Sequence, residues 1–178
     1  EFIKSPSEDA LNLVRSPFLI KNSYFSDISS DAIDVDFSNG TIQNSFFSNI
    51  GNDAIDISGA EVNINNINIK ASGDKAISVG ESSRLNANNV NISESYIGIA
   101  SKDFSNAKLR NLDIKNVSFC LAAYQKKYEY GPASIVLEDS NSNCSGKYLI
   151  EKGSSIKLSG YSLLPNSSSG YEELYSLD

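Results

Sequence analysis

The chain reads DAIDV at residues 31–35 and DAIDI at residues 53–57, which is 22 residues later. Related copies keep the same spacing on either side, with DALNL at residues 9–13 and KAISV at residues 75–79. Each copy is too short to bury its own apolar side chains. Their return at a fixed period therefore predicts a solenoid, in which successive coils stack and share one continuous core.

Stacking the copies aligns apolar residues into two rows that are two positions apart. Residues two apart on a strand share a face, so both rows are predicted to point inward from one parallel sheet. The first predicted row is Leu11, Ile33, Ile55, Ile77, Ile99, Leu121 and Leu149. The second is Leu13, Val35, Ile57, Val79, Ser101 and Ala123. The residues between the rows are predicted to point outward, namely Asn12, Asp34, Asp56, Ser78, Ala100 and Ala122.

A second strand is predicted in each coil, with a polar row between its apolar rows. The apolar rows are Ile20, Ile42, Ile64, Ala87, Leu109 and Leu137, and then Phe25, Phe47, Ile69, Ile92 and Ile114. The polar row is Asn22, Asn44, Asn66, Asn89, Asn111 and Asp139. Asparagine tolerates the left-handed backbone region, and stacked amides can hydrogen-bond along a column. The row therefore predicts a bend with an asparagine ladder.

These patterns predict an all-β fold, a right-handed parallel β-helix of about seven coils, with the handedness taken from the general preference of parallel crossovers. Residues 1–8 are expected to be a truncated lead-in, preceded by further coils or another domain. The β-helix is expected over 9–164, with a loop insertion at 124–132. Residues 165–178 are expected to be a Ser/Asn-rich tail, whose end at 171–178 is either a docked peptide or disordered.

Composition excludes several classes of function. The net charge of −7 argues against a nucleic-acid partner. No apolar stretch approaches the roughly 20 residues that span a bilayer. Histidine is absent, which removes the commonest general base and transition-metal ligand. Cys120 and Cys144 are expected to be buried thiols; the alternative is a disulfide across adjacent coils, which would indicate an oxidising compartment.

Four stretches resemble a known superfamily: residues 52–59 (NDAIDISG), 73–81 (GDKAISVGE), 98–103 (GIASKD) and 124–127 (YQKK). They are similar to right-handed parallel β-helix proteins, whose pectate-lyase-like members act on polysaccharides. The closer similarity is to bacterial β-helix modules found beside spore-coat-H-type kinase domains. The resemblance covers roughly residues 9–150 and implies a secreted or cell-surface protein. It brings no catalytic residues that can be assigned to positions here.

The first candidate site is an acidic stripe, in which Asp31 and Asp53 share one row and Asp34 and Asp56 share another. Neighbours in a row are about 4.8 Å apart, close enough for two carboxylates to share a Ca²⁺ ion. The alternative is a solvated face in which the aspartates make local turn-type bonds. Lys75 continues the first row and would then supply the countercharge.

The second candidate is a charged group on the next coils, made of Glu81, Lys102 and Asp103, with Lys75 nearby. A lyase or epimerase needs a base and a positive group near the uronate, and these side chains are the catalytic candidates. An ordinary salt-bridged surface is the simpler expectation.

The third candidate is the loop insertion. Its residues Tyr124, Lys126, Lys127 and Tyr128 could stack on and bind sugar rings. They could equally pack over a coil as a strap.

We therefore expect a non-catalytic β-helix module of a bacterial secreted or cell-surface protein, acting as a rigid structural or carbohydrate-binding platform. Its expected partners are a polysaccharide and the adjacent domains of a longer chain. The alternative is a polysaccharide lyase or C5-epimerase that acts on an acidic glycan with Ca²⁺. A third possibility is an adhesive fibre segment that oligomerises.

Overall fold

The structure, a computed structural model, describes residues 1–139 and 142–176. Over these residues the chain forms eighteen β-strands and one α-helix. In chain order they are β1 Phe2–Ile3, β2 Asp9–Val14, β3 Phe18–Lys21, β4 Tyr24–Ile28, β5 Asp31–Asp36, β6 Gly40–Ile50, β7 Ile55–Ser58, β8 Glu61–Ser72, β9 Lys75–Gly80, β10 Arg84–Ser93, β11 Ile97–Lys102, β12 Asn106–Lys115, β13 Phe119–Tyr124, β14 Ser134–Leu137, β15 Asn143–Cys144, β16 Lys147–Ile150, β17 Ser155–Leu158, β18 Tyr161–Ser162 and α1 Gly170–Tyr175.

The strands stack into two sheets that enclose one core. Sheet A runs β1-β4-β6-β8-β10-β12-β14-β17-β18, with β3 also paired to β6 and β15 to β12. Sheet B runs β16-β13-β11-β9-β7-β5-β2. All pairs are parallel except the last, where β18 turns back antiparallel on β17. The described residues thus form a parallel β-solenoid of about seven coils, as the 22-residue period predicts.

The register of sheet B confirms the predicted inward rows over most of their length. Ile33 pairs with Ile55, and Ile55 with Ile77. The prediction that Leu149 continues the first inward row is wrong, because the register shifts by one residue within β13. Leu149 therefore lies opposite Ala122 and is buried on the outer side of the sheet, away from the main core.

The asparagine row forms the predicted bend. Asn22, Asn44, Asn66, Asn89 and Asn111 all have positive φ, between 50° and 56°. Asn66 donates from Nδ2 to Asn44 Oδ1 at 2.9 Å, and Asn89 donates to Asn66 at 2.6 Å. Asparagine is suited here because it adopts the left-handed region at low cost while its amide continues the ladder. The bend lets one strand, such as β8, cover two faces of the solenoid.

The core lies inside the coils and is continuous along them. The Phe25 and Phe47 rings stack with centroids 4.9 Å apart, and Phe2 of β1 stacks on Phe25 at 4.6 Å. The segment expected as a lead-in, 1–8, therefore contains a strand that packs on the core. The aliphatic rows above these rings are fully buried in the middle coils.

Cys120 and Cys144 form a disulfide, so the expectation of two thiols is wrong. Their Cα atoms are 5.9 Å apart, which is within the range that a disulfide spans. The reason is stacking: the coil after β13 returns through β15 and brings residue 144 beside residue 120, although they are 24 residues apart in sequence.

The tail after β18 ends in α1, which docks on the outer face of sheet B. Leu174 is buried there against Ile97, Ala100, Ala122 and Leu149. The outward residues Ala100 and Ala122 are therefore covered by the helix. Of the two alternatives for the chain end, the docked peptide is correct for residues 171–176, while residues 177–178 lie outside the described part.

Gly170 at the start of α1 permits this docking. A Cβ atom at this position would lie 2.5 Å from Tyr124 Cβ and 2.8 Å from a methyl carbon of Leu149. The helix can approach β13 and β16 this closely only because residue 170 has no side chain.

Candidate functional site

A polar cleft lies on the outer side of sheet B, where α1 and the loop after β13 flank the coils. Its volume is about 240 Å³. Its lining consists of one amide and otherwise charged and aromatic side chains, namely Asn52, Asp53, Asp56, Asp74, Lys75, Lys102, Tyr124, Lys126, Tyr171 and Tyr175. We call this site the polar cleft.

Lys75 forms the buried ionic centre of the polar cleft. Its Nζ lies 3.3 Å from Asp53 Oδ1 and also pairs with Asp74. Burial alone would lower the pKa of Lys75, but the Asp53 and Asp74 carboxylates outweigh burial and hold the pKa above its usual value. Burial raises the pKa of Asp53 to about 6, although Lys75 opposes the shift. Lys75 therefore stays a cation and is a poor general base.

Tyr175 connects α1 to this ionic centre. Its hydroxyl donates to both carboxylate oxygens of Asp74 at 3.0 Å, and its ring lies 5.5 Å from Lys75 Nζ. Burial and the Asp74 carboxylate both raise the pKa of Tyr175. Tyr96 supports the helix from below by donating its hydroxyl to the Leu174 carbonyl at 2.8 Å.

Tyr124 places a buried hydroxyl in the wall of the polar cleft, beside Tyr175. The side chain is fully buried, and its hydroxyl lies within hydrogen-bonding reach of the Tyr175 side chain. Burial holds the pKa of Tyr124 well above its usual value, so the group is a neutral phenol. The prediction placed Tyr124 on an exposed loop; it is instead the last residue of strand β13.

Lys126 and Tyr171 face each other across the entrance of the polar cleft. Lys126 Nζ lies 5.8 Å from the Tyr171 ring centroid, and both residues are exposed. Partial burial, followed by the positive charges of Lys102 and Lys75, lowers the pKa of Lys126. Lys126 therefore loses its proton more readily than Lys75 does.

Lys102 lies flat along the coil below it and reaches Asp56. The distance from Lys102 Nζ to Asp56 Oδ1 is 3.8 Å. Gly80 makes room for this course, because a Cβ atom there would lie 2.8 Å from Lys102 Cε. The polar cleft thus mixes lysine and aspartate charges at close range.

The predicted group of catalytic candidates separates into two places. Lys75 and Lys102 line the polar cleft, whereas Asp103 and Glu81 hold the loop after β13. Asp103 is fully buried, and its Oδ1 accepts the N–H groups of Lys126 at 2.7 Å and Lys127 at 2.8 Å. Glu81 pairs with the Lys127 side chain. Asp103 and Glu81 are therefore positioned to order the loop.

The loop itself lines a second cavity beyond Tyr171. This loop cavity has a volume of about 230 Å³ and includes Lys126, Lys127 and Tyr128 in its walls. Tyr128 is completely exposed. Three of the four predicted loop residues therefore lie together, with Lys126 shared between the two cavities.

The two rows of the acidic stripe also have different surroundings, and the row of Asp31 and Asp53 joins neighbouring coils. Asp31 Oδ1 accepts the N–H of Asp53 at 2.8 Å and Nδ2 of Asn52 at 2.7 Å. Asp53 in turn accepts the N–H of Lys75 at 2.9 Å. This row therefore joins successive coils by side-chain-to-backbone bonds, and the Oδ1 atoms of both aspartates are already engaged.

Asp34 and Asp56 form the other row of the stripe and are partly buried. Burial, followed by the nearby Asp36 and Asp56 charges, raises the pKa of Asp34 to about 7. Two carboxylates supply few of the six to eight oxygens that Ca²⁺ takes. Within residues 1–139 and 142–176, no group of three or more His, Cys, Asp or Glu side chains is placed to hold a metal ion. These residues alone do not fit a complete calcium site, and calcium binding stays a prediction.

Sequence reasoning missed Tyr171 and Tyr175. Together with Leu174 they have the spacing that places side chains on one face of a helix. That spacing over residues 170–175 could have predicted a helix with one packed face, but the Ser/Asn-rich segment before it is typical of a linker. Among the described residues, no helix is long and apolar enough to cross a membrane.

The comparison with protein families agrees with this geometry. The model described as the right-handed beta helix region matches residues 11–169. No curated protein and no solved structure matches the chain. The match confirms the predicted superfamily and handedness, whereas the similarity to modules beside spore-coat-H-type kinase domains stays a prediction. Because the matched region covers most of the chain and the described residues form a parallel solenoid, this chain belongs to the right-handed β-helix family.

Proposed function

We propose that this chain is a rigid β-helix platform that binds carbohydrate in the polar cleft, as part of a bacterial secreted or cell-surface protein. The observation that carries the proposal is the lining of the polar cleft, in which aspartate, asparagine and lysine side chains meet tyrosine rings around a volume of about 240 Å³. Lys126 and Tyr171 are the exposed members of this lining, so they are the first groups that a ligand meets.

The surrounding chemistry suits sugar rather than an apolar ligand. Aspartate and asparagine oxygens accept hydrogen bonds from sugar hydroxyls, and the lysines donate to them. The exposed ring of Tyr171 offers an apolar face at the entrance.

The size of the polar cleft limits the ligand. Ligand pockets typically measure about 300–1,000 Å³, and the cleft, at about 240 Å³, is below this range. It therefore accommodates one or two sugar units. A longer chain would continue past Tyr171 into the loop cavity.

The disulfide supports the proposed location. Disulfides form and persist in oxidising compartments and are rare in the cytosol. The bond between Cys120 and Cys144 therefore favours a secreted or surface-exposed protein.

The test uses Tyr171→Ala, which removes the exposed ring at the entrance of the polar cleft. A glycan array identifies a ligand for the wild-type chain, and calorimetry then compares the variant. We expect roughly tenfold weaker binding, because about 1.4 kcal/mol corresponds to a factor of ten. The unfolding free energy should change by less than about 0.5 kcal/mol, since residue 171 lies on the surface.

The matched control is Tyr161→Ala, which removes the ring of an exposed tyrosine outside the polar cleft. It should bind as the wild type does. Equal affinity of Tyr171→Ala and the wild type, or an array without any bound glycan, would refute the proposal.

A second candidate function is the lyase or C5-epimerase, and the position of Lys126 in the lining of the polar cleft, with its pKa lowered by burial and by Lys102 and Lys75, favours it. In its base form this lysine could remove a proton from a bound uronate. The test incubates alginate and pectate with the chain, in the presence and absence of Ca²⁺. A lyase would give unsaturated products, and an epimerase would give epimerised residues. The absence of both products, or full activity of the Lys126→Met variant, would exclude this reaction.

A further inference from the structure

Sheet A carries a patch of exposed asparagines that lies apart from the polar cleft. In β8 the outward positions are Asn63 and Asn65, and in β10 they are Asn86 and Asn88. Asn86 lies opposite Asn63, and Asn88 opposite Asn65. We call these four residues the amide face.

The amides of this face are ordered by hydrogen bonds along each column. Asn86 Nδ2 donates to Asn63 Oδ1 at 3.2 Å, and Asn88 Nδ2 donates to Asn65 Oδ1 at 3.0 Å. An amide has two N–H groups and an oxygen with two lone pairs. Each ladder bond uses one of these, so the face still presents donors and acceptors in fixed positions.

The fold does not require asparagine at these four positions. At Asn66 and Asn89 the bend demands a positive φ, whereas the amide face is not among the positive-φ residues of the described chain. Asparagine is depleted in strands, and threonine is a better strand former. No backbone conformation therefore calls for asparagine at these four positions, and what the four side chains contribute is the exposed amide ladder.

The surface over the amide face is a shallow cavity of about 420 Å³. On the next coil the columns continue as Lys108 and Arg110, and Arg110 pairs with Glu138. The neutral amides are thus bounded on one side by charge. Over the amide face itself the surface is uncharged, although the whole chain carries a net charge of −7.

The geometry points to a second binding site, at which a neutral glycan lies along the solenoid axis over the amide face. Coils repeat at about 4.8 Å, and alternate residues of a strand are about 7 Å apart. Each coil therefore offers a pair of amides that brackets one sugar ring, and the next coil offers the next pair. Hydroxyl groups, which both donate and accept, match amides more fully than a charged ligand does.

The area of the face decides against a second copy of the chain as its occupant. Two coils and three strand residues cover on the order of 100 Å², whereas a stable interface needs about 800 Å² from each partner. A single glycan strand fits this area. No aromatic ring lines the cavity among the described residues, so binding rests on hydrogen bonds of about 0.5–1.5 kcal/mol each and should be in the millimolar range.

Affinity electrophoresis suits binding of this strength. The chain is run through gels that contain soluble galactomannan, xyloglucan, mixed-linkage β-glucan or dextran, with alginate as an acidic comparison. We expect retardation by at least one neutral polysaccharide. The variant with threonine at all four positions (N63T, N65T, N86T and N88T) should lose it by tenfold or more in dissociation constant.

The control variant changes an equivalent ladder beyond the bend. Asn91 Nδ2 donates to Asn68 Oδ1 at 3.0 Å, the same distance as between Asn88 and Asn65. Asn68→Thr with Asn91→Thr should leave retardation unchanged. Equal loss in this control, unchanged binding in the fourfold variant, or no retardation by any neutral polysaccharide would overturn the site.

Two further measurements keep this site separate from the polar cleft and from folding defects. Tyr171→Ala should be retarded as the wild type is; loss of retardation there would assign the binding to the polar cleft and refute the amide face. In the wild-type chain, side-chain amide NMR signals of the amide face should shift with the polysaccharide, while those of Asn68 and Asn91 should not. Shifts of the Asn68 and Asn91 signals without shifts of the amide-face signals would also refute the amide face as a binding site.

Discussion

The repeated aspartates have different roles, although their sequence context is almost the same. Asp31 and Asp53 accept backbone N–H groups from the following coil and so hold neighbouring coils together. Asp34 lies opposite Asp56 in the sheet. Asp34 accepts Nδ2 of Asn12 at 2.9 Å, and Asp56 accepts the N–H of the next residue, Ile57, at 3.0 Å. The first aspartate of the motif therefore stabilises the solenoid, and the second adds repulsion when it is ionised.

Asp34→Asn should stabilise the chain at high pH. The pKa of Asp34 is raised from 3.8 to about 7 in the folded chain. Between these values the folded state binds more protons than the unfolded state, so this group makes the unfolding free energy fall as pH rises from 4 to 7. Urea midpoints at pH 8 should be higher for Asp34→Asn than for the wild type, and the gain should shrink at pH 4.5.

The control for this prediction is Asp27→Asn. Hydrogen bonds from Asn49 and Ser26 lower the pKa of Asp27, so its stabilising effect is present at high pH. Asp27→Asn should therefore give no gain at pH 8. A pH-independent effect of Asp34→Asn would contradict the interpretation.

Lys75→Met should be strongly destabilising. It removes the countercharge from the buried Asp53 and from Asp74, and loss of one partner of a buried pair typically costs about 3–5 kcal/mol. Denaturant unfolding measures this cost. Adding Asp53→Asn should restore part of the stability, because the unpaired charge is then removed as well. A loss below about 1 kcal/mol, or no restoration, would show that the pair is unimportant.

At the scale of elements, α1 is too short to be stable alone and depends on tertiary packing. Three contacts hold it in place. Leu174 packs against sheet B, the Tyr175 hydroxyl donates to Asp74, and the Tyr96 hydroxyl donates to the Leu174 carbonyl. It also supplies Tyr171 and Tyr175 to the polar cleft. Docking of the helix and formation of the cleft are therefore one event.

Leu174→Ala should loosen the helix and weaken the cleft together. The lost contacts of a buried leucine typically amount to about 2–5 kcal/mol, and undocking of a terminal helix should place the cost near the lower end. Hydrogen exchange of residues 170–176 should accelerate, and carbohydrate binding should fall. Leu164→Ala, which alters an exposed leucine, should change stability by less than about 0.5 kcal/mol. Similar effects of both variants would contradict this role of Leu174.

At the scale of the whole molecule, each coil packs mainly on its neighbours, so the stability of a coil depends largely on what lies above and below it. The middle coils are buried on both sides, and Ile55, Ile57 and Ile77 have no exposed surface. In the first coil, Leu11 and Leu13 are only partly buried. At the other end, β18 folds back on β17.

Hydrogen exchange should therefore follow a gradient along the solenoid. Backbone amides of β2 and β3 should exchange first, those of β7, β9 and β11 last, and β16 and β17 should be intermediate. Mass spectrometry of the intact folded chain, after exchange and proteolysis, measures this order. Uniform protection over all coils would contradict the nearest-neighbour picture and indicate a single cooperative unit.

Much of the fold could be predicted because a solenoid encodes its contacts in sequence spacing. Ile33 packs beside Ile55, and Asn66 bonds to Asn44, at a separation of 22 residues. Contacts of this kind repeat, and repetition makes them visible in one sequence. The inward rows, the bend and the parallel sheets all follow from it.

The sequence by itself thus determined the β-helix, its coils and its asparagine ladder, because these depend on periodic neighbours. Only the tertiary structure decided the polar cleft, the disulfide and the place of Leu149. The hydroxyl of Tyr175 reaches Asp74 across 101 residues, and that of Tyr96 reaches Leu174 across 78. Such contacts are unrelated to the period and arise when a terminal helix docks on a finished sheet. The site is formed by non-repeating segments packed on a repeating scaffold, and only the scaffold is periodic.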